Sequence, residues 1–191
     1  VLSGLVGFGL SGLIRSELMI SGSWLGSEGF YNMVVTSHAV MMVFFLVMPL
    51  FMGGLGNLLT PLMVGLGDMV FPRLNNMSVI MVYFSLGLFC YAMTQEGPQA
   101  GWTYYPPLAL TTYMSDFSVD LSILSLHLLG VSSILNSLNI VSTVMAAVKG
   151  GEVSLEHLSL FIWSLGVTSM MVIVTVPVLA AALAMLLLDR M

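Results

Sequence analysis

Charge is what this sequence has least of. Only 7% of its 191 residues are Asp, Glu, Lys or Arg, against roughly a quarter in a soluble domain. A chain so short of charge cannot cover itself with a hydrated surface, so a water-soluble globule is excluded and lipid is the solvent it suits. One lysine, Lys149, and three scattered arginines leave no basic patch, which excludes a nucleic-acid partner. A single cysteine, Cys90, rules out an internal disulfide framework and a cysteine-based metal cluster; lying in an apolar run, it reads as a buried, inert thiol. No basic stretch or small-residue cleavage site precedes the first apolar segment, so that segment does not read as a signal peptide. The chain opens at Val1 inside an apolar run and stops at Asp189, Arg190 and Met191, and both ends read as cut.

What fills the sequence instead is apolar: 58% of residues, with a mean hydropathy of +1.04. These residues come in runs, and about 20 apolar residues suffice for a helix to cross the hydrocarbon core. Residues 1–14 read as the second half of a first span. Residues 31–67, 71–93, 119–148 and 158–188 read as four more. Pro49, Pro61 and Pro177 fall inside these runs and predict kinks rather than breaks, because neighbouring helices can satisfy the freed carbonyls. No repeat, linker or second domain interrupts the pattern. The expectation is all-α: a single polytopic transmembrane bundle over residues 1–191. The loop with Glu17 and Glu28 and the loop from Gln95 to Phe117 fall on one side, and Arg73 and Lys149 on the other.

Within so apolar a chain, the few polar side chains at membrane depth carry the chemistry. His38 lies about two turns into the second span, where an ionisable side chain is costly and marks a functional site. A neutral imidazole is a good iron ligand; the competing reading is a histidine hydrogen-bonded to a neighbouring helix. His127 lies at a comparable depth in the fourth span, so a two-histidine heme between the spans is one reading. His157, at a helix start, reads as solvated. Arg15 either holds a carboxylate-bearing group bidentately or snorkels to the interface. Gly4, Gly7 and Ser11, with Gly9 and Gly12 beside them, thin the first helix for close approach, more often by another helix than by a cofactor. Ser125, Ser132, Asn136, Asn139 and Thr143, with Ser133 alongside, are spaced by 7, 4, 3 and 4 residues and share one helical face. Such a stripe either orders a file of water for proton movement or makes interhelical hydrogen bonds. Asp68, Asn75, Asn76 and Ser78 gather at the turn before the third span, where a carboxylate could admit protons.

The strings IRSEL, YNMVVTSHAVMMVFFLVMP, GGLGNLLTPLMVG, GDMVFPRLNNMS, GWTYYPPL, VDLSILSLHLLGVSSILNSLNIVST and PVLAAALAMLLLDR run the length of the chain. In this order they resemble the subunit I family of cytochrome c oxidase, within the heme–copper oxidase superfamily. The resemblance implies the N-terminal portion of a twelve-span subunit, here about five spans. It implies that His38 is an axial ligand of low-spin heme a, that Arg15 bonds that heme's formyl group, and that Gly101, Trp102 and Tyr31 lie beside the hemes and their propionates. Glu17, with the backbone at Gly22, matches a peripheral calcium or sodium site. Asp68, Asn75, Ser78, Ser132, Ser133 and Asn139 match the D proton channel. His127 matches a family histidine that is not a heme ligand. The high-spin heme and copper ligands match positions beyond Met191, so this segment holds no catalytic residue and is expected to be inactive alone.

The implied function is a proton-pumping terminal oxidase. The implied partners are the remainder of subunit I, other oxidase subunits, the lipid membrane, and cytochrome c as electron donor with quinol as the alternative. Scarce lysine and abundant methionine point to an organelle-encoded chain of the mitochondrial inner membrane, with a bacterial plasma membrane as the alternative. Two rival functions remain open on the residues: a two-histidine heme electron carrier, and a non-heme channel or transporter module.

Overall fold

The computed structural model describes residues 1–151 and 153–191. The elements along the chain are α1 (Leu2–Met19), α2 (Glu28–Met42), two π-helical runs (Val43–Val47 and Pro49–Gly56), α3 (Asn57–Val64), α4 (Pro72–Thr94), α5 (Ser118–Lys149), a 3-10 turn (Leu155–His157) and α6 (Leu160–Arg190). From α2 to α3 the chain forms one apolar stretch of 37 residues, Glu28–Val64. Together with α4, α5 and α6 it makes, among the described residues, four helices long and apolar enough to cross a membrane. The expected all-α polytopic architecture is what forms. The first helix runs five residues past Ile14, to Met19, and so takes Arg15 and Glu17 into its last turns.

Local chemistry sets the boundaries. Ser27 caps α2, its hydroxyl accepting the Phe30 amide at 3.1 Å, and Glu28 follows in the first turn, where a negative charge meets the positive end of the helix dipole. α3 stops at Gly65, which adopts φ +78°, a left-handed conformation that costs glycine little. Pro72 opens α4, where its missing N–H is no loss.

Pro49 has a more specific effect than a kink. Its ring carries no N–H for the carbonyl four residues back, that of Phe45, and the helix slips into π geometry on both sides of it. The hydroxyl of Ser3, on α1, donates to that same Phe45 carbonyl at 2.8 Å. A neighbouring helix thus serves the acceptor that proline cannot. The same pair of helices packs closely because Gly4 and Gly7 have no side chains: Leu46 occupies the space beside the first and Met42 the space beside the second. Gly9 and Gly12 face open space.

Contacts divide the chain into two compact units. One comprises Val1–Val47, Phe84–His127 and Ala182–Met191. Its core sets Ala100, Tyr104, Ala109 and Met114, all from the loop after α4, against Val119 and Ile123 of α5 and Leu183 and Leu186 of α6. In the same unit Ser85 and Ser125, fully buried, each donate to the other's backbone carbonyl, at 2.7 and 2.8 Å, joining α4 to α5. The other unit comprises Met48–Tyr83 and Leu128–Ala181. It packs Met52, Met69, Ile140 and Leu165 in one cluster and Val64, Val144, Ala147 and Ile162 in another. Cys90, expected to be buried, is exposed on α4; in a chain whose solvent is lipid, an apolar run need not face inward. α6 likewise exposes Met171, Val174, Val178 and Leu188.

Ser3→Ala should lower the stability of the assembled protein by about 0.5–1.5 kcal/mol, the usual net worth of one such hydrogen bond. In a Pro49→Ala background that cost should shrink, because the amide of residue 49 then serves the Phe45 carbonyl. A double-mutant cycle read by thermal denaturation in detergent checks this, and strictly additive effects would show that Ser3 does not compensate for the proline.

Candidate functional site

His38 stands on α2, half-buried, with Nδ1 2.8 Å from the backbone carbonyl of Gly7 on α1. A carbonyl only accepts, so Nδ1 carries the proton and Nε2 keeps its lone pair. This is the arrangement that fixes a metal-binding imidazole in one tautomer. Glycine at position 7 is what lets the two helices approach closely enough for the bond. The same contact also fits the plainer reading of a helix–helix hydrogen bond, since it satisfies one ring nitrogen.

Around His38 the same unit gathers other residues singled out in the sequence. The Gly101 amide donates to Thr36 Oγ1, two residues before the histidine, at 3.0 Å. Gly101 has φ +79°, which lets the loop turn onto α2 there. The Trp102 ring lies with its centroid 6.5 Å from that of Phe44, six residues past His38 in the first π-helical run, and is 55% exposed. Tyr31 precedes His38 by seven residues and so shares its face of α2. Arg15 is exposed on α1 and makes no ion pair among the described residues. The donor set is coherent for a planar anionic metal complex: one imidazole with a free Nε2, one guanidinium and one indole N–H. His127, on α5, has Nδ1 2.8 Å from its own helix's Ile123 carbonyl. His157 is exposed, with Nδ1 beside the Ser154 hydroxyl. Among the described residues no three His, Cys, Asp or Glu side chains converge as a metal site.

The carboxylate of Glu17 turns Oε2 to the amides of Trp24 and Leu25, at 3.0 and 2.7 Å, which closes the loop after α1 over it. Gly22 sits in that loop at φ +116°. One remaining carboxylate oxygen and a nearby backbone are too few for the six to eight oxygens that calcium typically takes. These residues alone do not make a cation cage.

The polar residues of the second unit divide into two groups. Asn139 on α5 is committed to backbone: Oδ1 accepts the Phe71 amide at 3.1 Å and Nδ2 donates to the Phe71 carbonyl at 3.2 Å. Thr143, one turn on, accepts the Val70 amide at 3.3 Å. Ser132 donates to the Ser78 carbonyl and Ser78 to the Asn75 carbonyl, both at 2.7 Å. Ser133 bonds back to Leu129 at 2.9 Å and touches the Met48 sulfur. So part of the stripe ties α5 to α4 and to the turn before it. Asp68 is exposed at that turn, Oδ1 accepting the Met69 amide at 2.7 Å.

The second group is buried and unpartnered: Asn57 Oδ1, Thr60 Oγ1, Asn136 Oδ1, Ser137 Oγ and Ser169 Oγ. Buried polar atoms of this kind are what ordered waters satisfy. Asn57, whose Nδ2 donates to Asn75 Oδ1 at 2.7 Å, is a residue that sequence reasoning passed over. A lone amide inside an apolar run, four residues before Pro61, was the available signal. Two further polar residues were missed, the buried Arg190 and its ion-pair partner Asp120. The buried Tyr104 phenol is pushed up to about 12 by desolvation, opposed by the nearby Ser122 hydroxyl, so it stays neutral.

Residues 1–191 match the family described as cytochrome c and quinol oxidase polypeptide I. Cytochrome c oxidase subunit 1 of Leishmania tarentolae is 43% identical over 193 residues, covering all of this chain and 35% of that protein. The Pecten maximus subunit 1 is 45% identical over 190 residues, 98% of this chain and 40% of that protein. The Eremothecium gossypii subunit 1 is 43% identical over 190 residues, 98% of this chain and 35% of that protein. The chain therefore spans 35 to 40% of the length of these three relatives.

Asn139→Leu should strand the Phe71 amide, while the Phe71 carbonyl keeps the Asn75 amide at 3.1 Å, and destabilise the assembled protein by about 1–3 kcal/mol for the one group left unmet. Asn139→Gln, which keeps an uncharged acceptor and donor, should cost less. Thermal midpoints of the two variants check the order, and equal midpoints would contradict the two-bond tether.

Proposed function

The chain belongs to the cytochrome c and quinol oxidase polypeptide I family, and on that premise we propose that it forms the N-terminal part of the catalytic subunit of a terminal respiratory oxidase. It is a multi-pass protein of the mitochondrial inner membrane. In the proposed complex, oxygen is reduced to water, protons are pumped, and cytochrome c supplies electrons with quinol as the alternative donor. The remainder of subunit I and the other oxidase subunits complete the assembly.

The single observation that carries the reading for this segment is the His38 Nδ1–Gly7 carbonyl contact, which leaves the Nε2 lone pair available to a metal. His38 would hold low-spin heme a, which when bound supplies reversible one-electron transfer. Arg15 and the Trp102 indole would donate hydrogen bonds to its oxygen-bearing substituents, Arg15 to the formyl group and Trp102 to a propionate. Gly101 and Tyr31 would flank the group. Copper and the high-spin heme would take their ligands from the rest of the subunit.

For protons, the exposed Asp68 carboxylate would be the entry point, because an anion at the mouth of a polar file both attracts and relays a proton. Asn75, Ser78, Ser132, Ser133 and Asn139 would line the path, and Asn57, whose Nδ2 donates a hydrogen bond to Asn75 Oδ1, would join them. The unpartnered buried oxygens of Asn57, Thr60 and Asn136 support this, as acceptors for the waters that would carry the proton. Glu17 would contribute one carboxylate oxygen to a peripheral calcium or sodium ion, with other ligands coming from elsewhere.

His38→Ala should abolish the low-spin heme band in the reduced-minus-oxidised spectrum of the purified complex, whereas His127→Ala should retain it. Loss of the band with His127→Ala and its survival with His38→Ala would reverse the assignment. Asp68→Asn should slow proton uptake and pumping with heme content intact. Proton stoichiometry and turnover in reconstituted vesicles provide the readout, and unaltered values would remove Asp68 from the path.

A further inference from the structure

We propose that Arg190 is a positioning residue for the His38 site, acting through the loop that carries Gly101 and Trp102. The proposal rests on the reading of His38 as a heme ligand. Arg190 lies in the last turn of α6 with its side chain 1% exposed, and all five of its N–H donors are engaged. Nε donates to Asp120 Oδ1 at 2.6 Å, and Nη2 donates to Asp120 Oδ2 at 3.3 Å and to the Asp116 carbonyl at 3.0 Å. Nη1 donates to the Ala109 and Met114 carbonyls. Three of the five bonds therefore go to backbone carbonyls of one loop. An ion pair alone would need only Asp120; the rest of the guanidinium shapes residues 109–116.

The same loop is fastened at its other end by the Gly101 amide on Thr36 and by Trp102 against Phe44. Between the two fastenings Tyr104 is 2% exposed and holds φ +50°. A non-glycine residue keeps that conformation only where its surroundings over-determine it. Its surroundings are the loop's own Ala100, Ala109 and Met114 packed on Val119, Ile123, Leu183 and Leu186. Arg190 sits at the end of the helix that contributes the last two. The seat of Trp102 against Phe44 thus depends on a loop that Arg190 closes from the opposite end. Lysine cannot replace it, because an ammonium has three donors and no planar fork to reach four partners.

The test uses the intact complex containing this chain, with Arg190→Lys, Asp120→Asn, Trp102→Phe and the Arg190→Lys/Trp102→Phe double variant. Two readouts are taken: amide hydrogen exchange across residues 97–117, and the midpoint potential and band position of the heme. Arg190→Lys should retain heme but speed exchange at the Gly101, Tyr104, Leu110 and Met114 amides by roughly ten-fold or more, as expected when charge-assisted bonds are lost. It should also shift the heme potential, and the double variant should match Trp102→Phe alone. Unchanged exchange overturns the clamp. Faster exchange with an unmoved potential, or additive shifts in the double variant, overturns its action through Trp102. Should the lysine variant fail to assemble, Asp120→Asn, which keeps the side-chain shape, decides by the same exchange measurement. If His38→Ala leaves the heme band in place, the heme reading falls separately, while the exchange result still judges the clamp.

Discussion

Hydrocarbon supplies no hydrogen-bond donors or acceptors, so each polar group placed at membrane depth has to find its partner inside the protein. Most of this structure's particular features follow from how that demand is met. Pro49 removes a donor, and Ser3 on the neighbouring helix meets the Phe45 carbonyl. Gly7 removes a side chain, and its carbonyl becomes reachable by His38. Ser85 and Ser125 meet each other, and Asn139 takes both polar groups of Phe71. Where a partner is missing, at Asn57, Thr60, Asn136, Ser137 and Ser169, the same demand points to bound water. That is the physical ground for reading the second unit as a proton path rather than as packing alone.

The two readings offered for the polar stripe of α5 therefore need not compete. Asn139, Thr143 and Ser132 hold neighbouring backbone, as interhelical hydrogen bonds do. Asn136 keeps a buried acceptor unspent. One face of a helix can carry both duties, since residues three and four apart lie at adjacent heights along it.

How much of this was legible in the sequence depends on the range of the interaction. Helices were legible to within a few residues because each is a run of apolar side chains bounded by Pro, Gly, Ser or charge: Pro72 opens α4 and Gly65 closes α3. The His38 motif was legible as an ionisable group at a depth where one is costly. The tautomer was not, because it depends on a carbonyl 31 residues away. Asn57 and Asn75 meet across 18 residues, and Arg190 and Asp120 across 70. No local periodicity encodes such pairings. Arg190 in particular reads from the sequence as one more charge at a helix end, and only the folded loop shows five occupied donors. The assumption that an apolar run hides its thiol failed at Cys90, because in lipid the exposed surface is apolar as well.

The central claim is that His38, its Nδ1 held by the Gly7 carbonyl, presents Nε2 to a heme iron. An experimental structure of the intact complex, purified from its own membrane at a resolution that defines the imidazole, tests it most directly. The account predicts iron on Nε2 of His38, Nδ1 still on the Gly7 carbonyl, and Trp102 within hydrogen-bond reach of a heme propionate. Iron bound instead by His127, or a His38 ring with no metal beside it, would contradict it.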